Sequence, residues 1–513
     1  MCRIKNWTSK KGKPRMAMNS VTVFDELQLE FASGEMLEHP RDGLTLFGPV
    51  DSKGIEKPSH FCYGVVGTRS GAAAFREFVK AINRPISTED RWDEVLWPHY
   101  PGFEEAFHAV LPTDPAWVEE LDDQVVKNAA TELDAHKRVF AVVSLFLSRV
   151  RAAKKSDEPF RFFVIVVPDY VFANCRPLSR FMGGHGHRIG KREQKLRAEI
   201  GDFFESYEPE QYSYSIDFRR QIKARVMELE IPIQIIREST LRLVVEEKRL
   251  GARHLTPLSD RAWNLSTALY YKAGGKPWKL SGVREGVCYV GVSFKNTDTA
   301  HTACSAAQMF LNDGDGVVFL GDEGRWYSER KGEYHLSRDS ARRLLCGVLG
   351  TYQSLHGRKL TEVFLHCSST VNDEEFAGYH AACPEGVKLV AVRVAPERMG
   401  LRLYRAGTRP VLRGTFWQVS PRRGFLWGSG FKPRLRTYDG SEVPQPLCID
   451  VQHGTADLEQ VARDIFGLTK LNYNCCKLGE SQPVTIHFSS AVGEILVSNR
   501  TVKQHKPNFK YYI

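Results

Sequence analysis

Apolar positions along the chain follow two spacings. Short apolar runs punctuated by Gly and Pro predict strands, and stripes at i, i+3 and i+4 predict helices. Residues 44–47 read as a short strand closed by the Gly48-Pro49 turn, and residues 61–66 as a second strand. A helix is predicted over 71–82, with Phe75, Phe78, Val79 and Ile82 on one face. Residues 87–103 read as loop, punctuated by Pro98, Pro101 and Gly102. Residues 131–151 read as one long amphipathic helix carrying Val139, Val142, Val143, Phe146 and Val150. The unbroken apolar run 162–167, stopped by Pro168, suits a parallel strand covered on both faces. A loop with a basic cluster follows over 174–197, then a helix over 217–229 and a strand over 231–236.

After about residue 258 the pattern changes. A helix over 261–272 stops at Gly274-Gly275. A strand is predicted over 287–294, and 306–311 and 317–320 flank a hairpin signal at 312–316. Ser337 caps a helix running to about Tyr352. Strand 363–366, helix 373–382 and strand 389–394 follow. The expected fold class is α/β. The first half alternates strands and helices in a Rossmann-like way, and the second half has the element order of ribonuclease H-like folds. The expected domains are a basic flexible tail over 1–23, a first folded block over 24–258 and a second over 259–513.

Charge changes this picture less than it first promises. The 513 residues carry 71 Lys and Arg against 61 Asp and Glu, a net charge of +10. Six of those charges (Arg3, Lys5, Lys10, Lys11, Lys13 and Arg15) lie in the first 24 residues, which hold no acid. Removing them leaves +4 for the other 489 residues, so a nucleic-acid reading has to rest on local clusters. The longest apolar runs are too short to span a bilayer, and the expected location is cytoplasmic. Eleven cysteines form no C-x-x-C and no zinc spacing, so reduced thiols are expected. Gly183 to Lys191 resembles a phosphate loop but has His185 and Arg192 where the motif requires Gly and Ser or Thr. His185, His187 and Cys175 fit no standard metal spacing.

Four long polar side chains remain as candidates for one phosphate. Arg219 and Lys223 lie four apart on a predicted helix face, Gln234 is on the next strand, and Lys272 ends the following helix. Solvated helix faces are the competing reading of the same residues.

The segments 217–227 (DFRRQIKARVM), 231–241 (IPIQIIRESTL) and 268–278 (ALYYKAGGKPW) resemble the junction of the MID and PIWI domains of Argonaute proteins. In that family a Tyr or His, a Lys four residues later, a Gln and a second Lys hold the 5′-phosphate of a guide strand. The resemblance assigns these roles to Lys223, Gln234 and Lys272, and Arg219 stands where the aromatic or His is expected. It also places the terminal carboxylate, here that of Ile513, beside the phosphate with a Mg²⁺ ion. The likeness extends from about Phe24 to Ile513, including 42–49, 332–336 and 468–474, in the pattern of short prokaryotic Argonautes without N-terminal and PAZ domains. It implies a Rossmann-like MID domain followed by a ribonuclease H-like PIWI domain.

An active site of that fold needs carboxylates to hold two cations for in-line attack. Where the family has its acids, the chain reads Gly291-Val292-Ser293, His366-Cys367-Ser368-Ser369, and Ser490 after Pro483. Serine hydroxyls do not neutralise Mg²⁺ as carboxylates do, so no catalytic residue is expected. Asp298, Asp373, Glu374 and Glu375 are nearby in sequence but off those positions. The resemblance therefore implies a non-cleaving binder of guide RNA and single-stranded target DNA. Its expected partner is an APAZ protein fused to a TIR NADase, forming a heterodimer that assembles further on activation and depletes NAD in abortive-infection defence. Segments 266–279 and 304–311 are closest to the TIR-partnered group. The alternatives are an active guide-directed nuclease, or a sirtuin-type or nuclease APAZ partner. The cluster Arg188, Lys191, Arg192, Lys195 and Arg197 is read as a further phosphate contact or a solvated loop.

Overall fold

The computed structural model describes residues 20–52, 54, 58, 61–89, 93–177, 179, 211, 214–244, 255–282, 284–296, 303–310, 316–324, 327–328, 333–356, 359–437, 443–497, 506 and 508–513. The first half holds a four-stranded sheet in the order Trp117–Leu121, Tyr63–Thr68, Phe162–Val167, Ile233–Arg237. All its pairs are parallel. Every residue of the two central strands is buried, because helices cover both faces. Val164 and Val166 pack in one core with Phe75 and Phe78 of helix Arg69–Ile82. Phe163 and Ile165 point the other way, into a core with Val139, Val143 and Phe146 of helix Ala135–Ala153.

Caps explain where these helices begin. Thr68 Oγ1 accepts from the Gly71 amide at 3.2 Å, and Asp217 Oδ1 from the Arg220 amide at 3.0 Å. Asp134 Oδ1 accepts from His136 and Lys137 amides at 2.8 and 3.0 Å. That cap starts the helix expected over 131–151 at Ala135, from which it runs to Ala153, and a separate helix, Asp123–Ala130, precedes it. A second correction concerns 44–47, which belongs to helix Pro40–Leu46 rather than a strand. Pro40 sits in its first turn, and His39 Nδ1 accepts from the Arg41 amide at 3.2 Å. The edge strand Trp117–Leu121 was not anticipated, because its apolar residues Trp117, Val118 and Leu121 do not alternate with polar ones.

The second half is built on a nine-stranded sheet. Its order is Ser20–Val23, Thr415–Gln418, Arg423–Leu426, Leu447–His453, Lys388–Pro396, Glu362–Cys367, Val287–Asn296, Ala303–Phe310, Gly316–Gly324. Glu362–Cys367 runs parallel to both of its neighbours. Val287–Asn296, Ala303–Phe310 and Gly316–Gly324 form the expected antiparallel meander. Helices Arg338–His356 and Asp373–Ala382 flank the sheet chiefly on the side of Val290, Val292, Val363 and Leu365. Helices Leu458–Leu468 and Val484–Val497 share a core with Tyr289, Phe364, Val390 and Val392. Among the described residues no helix is long and apolar enough to cross a membrane.

The two halves are stitched together at both ends of the sequence division. Ser20–Val23, assigned to a flexible tail, pairs antiparallel with Thr415–Gln418 at the edge of the large sheet. The apolar alternation of Val21 and Val23 is too short to separate from a tail by sequence. Glu26 then joins Arg413 at 2.7 Å and Lys470 at 3.3 Å, tying this segment to the second half. Helix Leu258–Lys272 lies beyond the expected boundary, yet its Trp263 and Tyr270 pack with Phe61, Tyr100, Phe103 and Phe107 of the first half. Buried Arg41 also pairs with Asp260 at the start of that helix. The junction is thus a shared core, and it sets Lys272 rigidly against the first domain.

Candidate nucleic-acid site

The four candidate side chains do converge. Arg219 and Lys223 project from helix Phe218–Val226, which Asp217 caps. Gln234 lies on strand Ile233–Arg237, and Lys272 is the last residue of helix Leu258–Lys272. Ile513 follows the short turn Phe509–Tyr511, which is anchored by the Tyr511 and Tyr512 hydroxyls donating to the carbonyls of Glu230 and Lys506 at 3.1 and 2.9 Å. Lys223 and Lys272, at 2% and 0% exposure, both donate to the main-chain oxygen of Ile513. Arg219 Nη2 donates to the Tyr512 carbonyl at 3.3 Å. Arg219, Lys223, Gln234 and Ile513 line one cavity of about 330 Å³.

The electrostatics of this cavity favour an anion. Burial holds the Lys223 amine well below the usual lysine range, and the charges of Lys272 and Arg219 push it further in the same direction. Lys272 is lowered by burial and then by Arg219 and Lys510. Two buried amines sharing one oxygen are short of negative charge, which a phosphate would supply. The two acids at the cavity wall are already engaged. Asp217 caps its helix, and Glu494 pairs with Arg220 at 2.9 Å.

One oxygen beside that anion site has the chemistry of a hard-cation ligand. The Gln234 Oε1 atom is buried without a hydrogen-bond partner, and Gln234 lines the cavity together with Ile513, whose main-chain oxygen lies at its floor. Oxygen donors of this type suit Mg²⁺. Sequence reasoning missed three further wall residues. Arg237 lies 3.8 Å over the Phe172 ring and Arg176 4.2 Å over it, and Arg237 is held by Asp169 at 2.6 Å. Phe172 sits on the six-residue helix Asp169–Asn174, too short to show a periodicity. The 188–197 basic cluster lies outside the described residues.

Ser293 lies on, and Ser368 directly follows, adjacent central strands of the large sheet, and Ser490 lies on a helix packed against them. Strands Val287–Asn296 and Glu362–Cys367 pair in parallel up to Val292 and Cys367. Ser293 and Ser368 each come one residue after this last pair, Ser368 beyond the end of its strand. Helix Val484–Val497, which carries Ser490, lies across this place. The buried Ser293 Oγ donates to the Ser489 carbonyl at 2.7 Å. A Cβ on Gly291 would stand 1.9 Å from the Thr485 carbonyl, so the helix backbone rests directly on the strand. His366 is fully buried beside them, its Nδ1 bonded to Thr485 Oγ1 at 2.9 Å and its Nε2 without a partner. Burial pushes its pKa down to about 3, so the ring is neutral.

Of the nearby acids, Glu375 is used elsewhere. Glu375 forms a capping box with Asn372 and also receives the Leu336 amide at 2.5 Å. Asp373 is fully exposed at the same helix start, and Asp298 lies outside the described residues. Among the described residues no three His, Cys, Asp or Glu side chains converge as metal ligands.

No protein-family model and no curated protein matches the chain. Solved structures do. Clostridium butyricum Argonaute bound to a guide DNA (5′ deoxycytidine) and a 19-mer target DNA is similar with a TM-score of 0.61 at 13% identity, over 95% of this chain and 54% of that one. A. aeolicus Argonaute with externally bound siRNA gives a TM-score of 0.57 at 13% identity, over 96% and 56%. A second A. aeolicus Argonaute structure gives 0.53 at 13% identity, over 95% and 55%. The chain spans about half the length of each. With its parallel first sheet, its mixed second sheet and the cavity at their junction, the chain has the MID and PIWI folds of Argonaute proteins.

Proposed function

We propose that the chain is a non-cleaving, guide-binding protein of the short Argonaute type. It holds the 5′-phosphate of a guide RNA in the junction cavity and recognises single-stranded DNA of invading plasmids or phages by base pairing. The observation that carries this reading is the convergence of Lys223, Lys272 and Arg219 on the oxygens of Tyr512 and Ile513, with Gln234 at the wall. A phosphate entering there would accept charge-assisted bonds from Lys223, Lys272 and Arg219. Gln234 and the Ile513 carboxylate are the groups that would hold a Mg²⁺ ion, which neutralises phosphate charge. Sequence is then read by pairing, and the protein reads backbone and helical shape.

Ser293, Ser368 and Ser490 supply no carboxylate for a cleaving pair of cations, and Ser293 is committed to the Ser489 carbonyl. The response to a paired target is therefore assigned to a separate subunit, a TIR-APAZ NADase bound as a heterodimer. The experiment is reconstitution. The chain is loaded with a 5′-phosphorylated RNA guide, given complementary single-stranded DNA and Mg²⁺, and assayed with and without a TIR-APAZ subunit for DNA cleavage and NAD hydrolysis. Intact DNA in both cases and guide-dependent NAD loss only with the partner are expected. Cut target from the isolated chain contradicts the reading.

A further inference from the structure

One stretch of the second half is far more basic than the rest. From Glu397 to Thr437 the chain carries ten Lys and Arg and a single acid. That acid is used locally, since the Glu397 carboxylate accepts the Met399 and Leu401 amides at 2.7 and 2.8 Å. Several of the cations are also engaged. Arg413 binds Glu26, Arg423 binds Asp450, Arg434 binds Asp42, and Arg422 donates to the Val451 carbonyl. Among the described residues neither Arg405 nor Arg409 pairs with a carboxylate, although both are exposed.

These two are nevertheless held in place. Their guanidinium groups lie 5.3 and 5.1 Å from the centre of the Phe431 ring. Phe431 is itself fixed, its amide donating to the Val411 carbonyl at 2.8 Å and its carbonyl accepting the Arg413 amide at 3.1 Å. Arg405 Nε donates to the Pro410 carbonyl at 2.7 Å, a bond that uses neither of its two terminal nitrogens. Tyr404, next in the chain, is 73% exposed. Fixed arginines with unspent charge beside an exposed aromatic ring are the parts of a single-strand platform: cations for the backbone and a face for a base.

We propose that Arg405 and Arg409, stacked on Phe431, together with Tyr404 form a phosphodiester-binding surface for single-stranded nucleic acid. It shares no residue with the terminal-phosphate cavity and does not depend on it. The ligand is identified by its backbone charge, so RNA and DNA both qualify.

The test uses the full chain and 5′-hydroxyl oligonucleotides of about twenty nucleotides, one RNA and one DNA, so that the cavity is not engaged. Affinity is measured against salt for the wild type, the Arg405→Gln/Arg409→Gln double variant and Tyr404→Ala, with thermal melting as the fold control. The double variant is expected to lose about tenfold in affinity for both strands, and its salt slope is expected to fall by about one to two. Tyr404→Ala, on a side chain too exposed to unfold the protein, is expected to lose about fivefold. The preference for 5′-phosphoryl over 5′-hydroxyl ends should be untouched in both, whereas Lys223→Ala should remove that preference and leave the slope. Unchanged affinity and slope in a folded double variant, or a loss confined to one kind of strand, overturns the proposal and leaves the surface to an acidic protein.

Discussion

The junction cavity and the serine cluster are built in opposite ways. The cavity draws cations from separate elements into a buried space and leaves them short of a counter-charge. At the serine positions Ser293 is bonded to the Ser489 carbonyl and His366 Nδ1 to Thr485 Oγ1, and a helix backbone closes over Gly291. One region gathers buried cations, and the other gathers neutral serine and histidine side chains. On the proposed reading, that contrast separates binding from cutting.

The largest effect should come from the cavity. Lys223→Ala and Lys272→Ala each remove a buried charge worth about 1.5–3 kcal/mol to a phosphate, or roughly 10- to 100-fold in affinity. Fluorescence anisotropy with 5′-phosphoryl and 5′-hydroxyl RNA should show the loss on the phosphorylated strand alone. The serine cluster should answer in stability instead. Gly291→Ala forces a methyl against the Thr485 carbonyl and is expected to destabilise by about 1–3 kcal/mol, read as a lowered denaturation midpoint with little change in phosphate preference. Ser293→Asp would point a carboxylate at the Ser489 carbonyl, costing about 1–3 kcal/mol without giving Mg²⁺-dependent cleavage.

The smallest effect sharpens the contrast through pH. In the free protein burial lowers both lysine pKa values, and a bound phosphate raises them again. Binding therefore takes up protons between the lowered values and the ordinary lysine range. Affinity for a phosphorylated end should fall as pH rises through that interval. Lys223→Arg, which stays charged, should flatten the fall. A 5′-hydroxyl strand should show no such trend.

Periodicity placed Arg219, Lys223 and Lys272 on helices, and it was the resemblance to Argonautes that joined them with Gln234 and Ile513 into one site. Phe162–Val167 and Asp373–Ala382 have the expected bounds, and Lys223 and Lys272 fall at helix positions that spacing alone can place. Arg176, Phe172 and Arg237 were not legible, because a six-residue helix and a strand end carry no repeat to read. Residues 44–47 were misread because a run of apolar residues in one helical turn looks like a strand, and the signals at His39 and Pro40 decide otherwise. The role of helix Leu258–Lys272 as the shared core of both halves depends on contacts distant in sequence, such as Tyr270 to Asp51 at 2.6 Å.

The most direct measurement is a competition between two RNAs of identical sequence, one ending in a 5′-phosphate and one in a 5′-hydroxyl. The phosphorylated strand should bind at least about tenfold more tightly to the wild type, and the two should bind alike to Lys223→Ala. Equal affinities for the wild type would contradict the assignment of the buried lysines to a terminal phosphate.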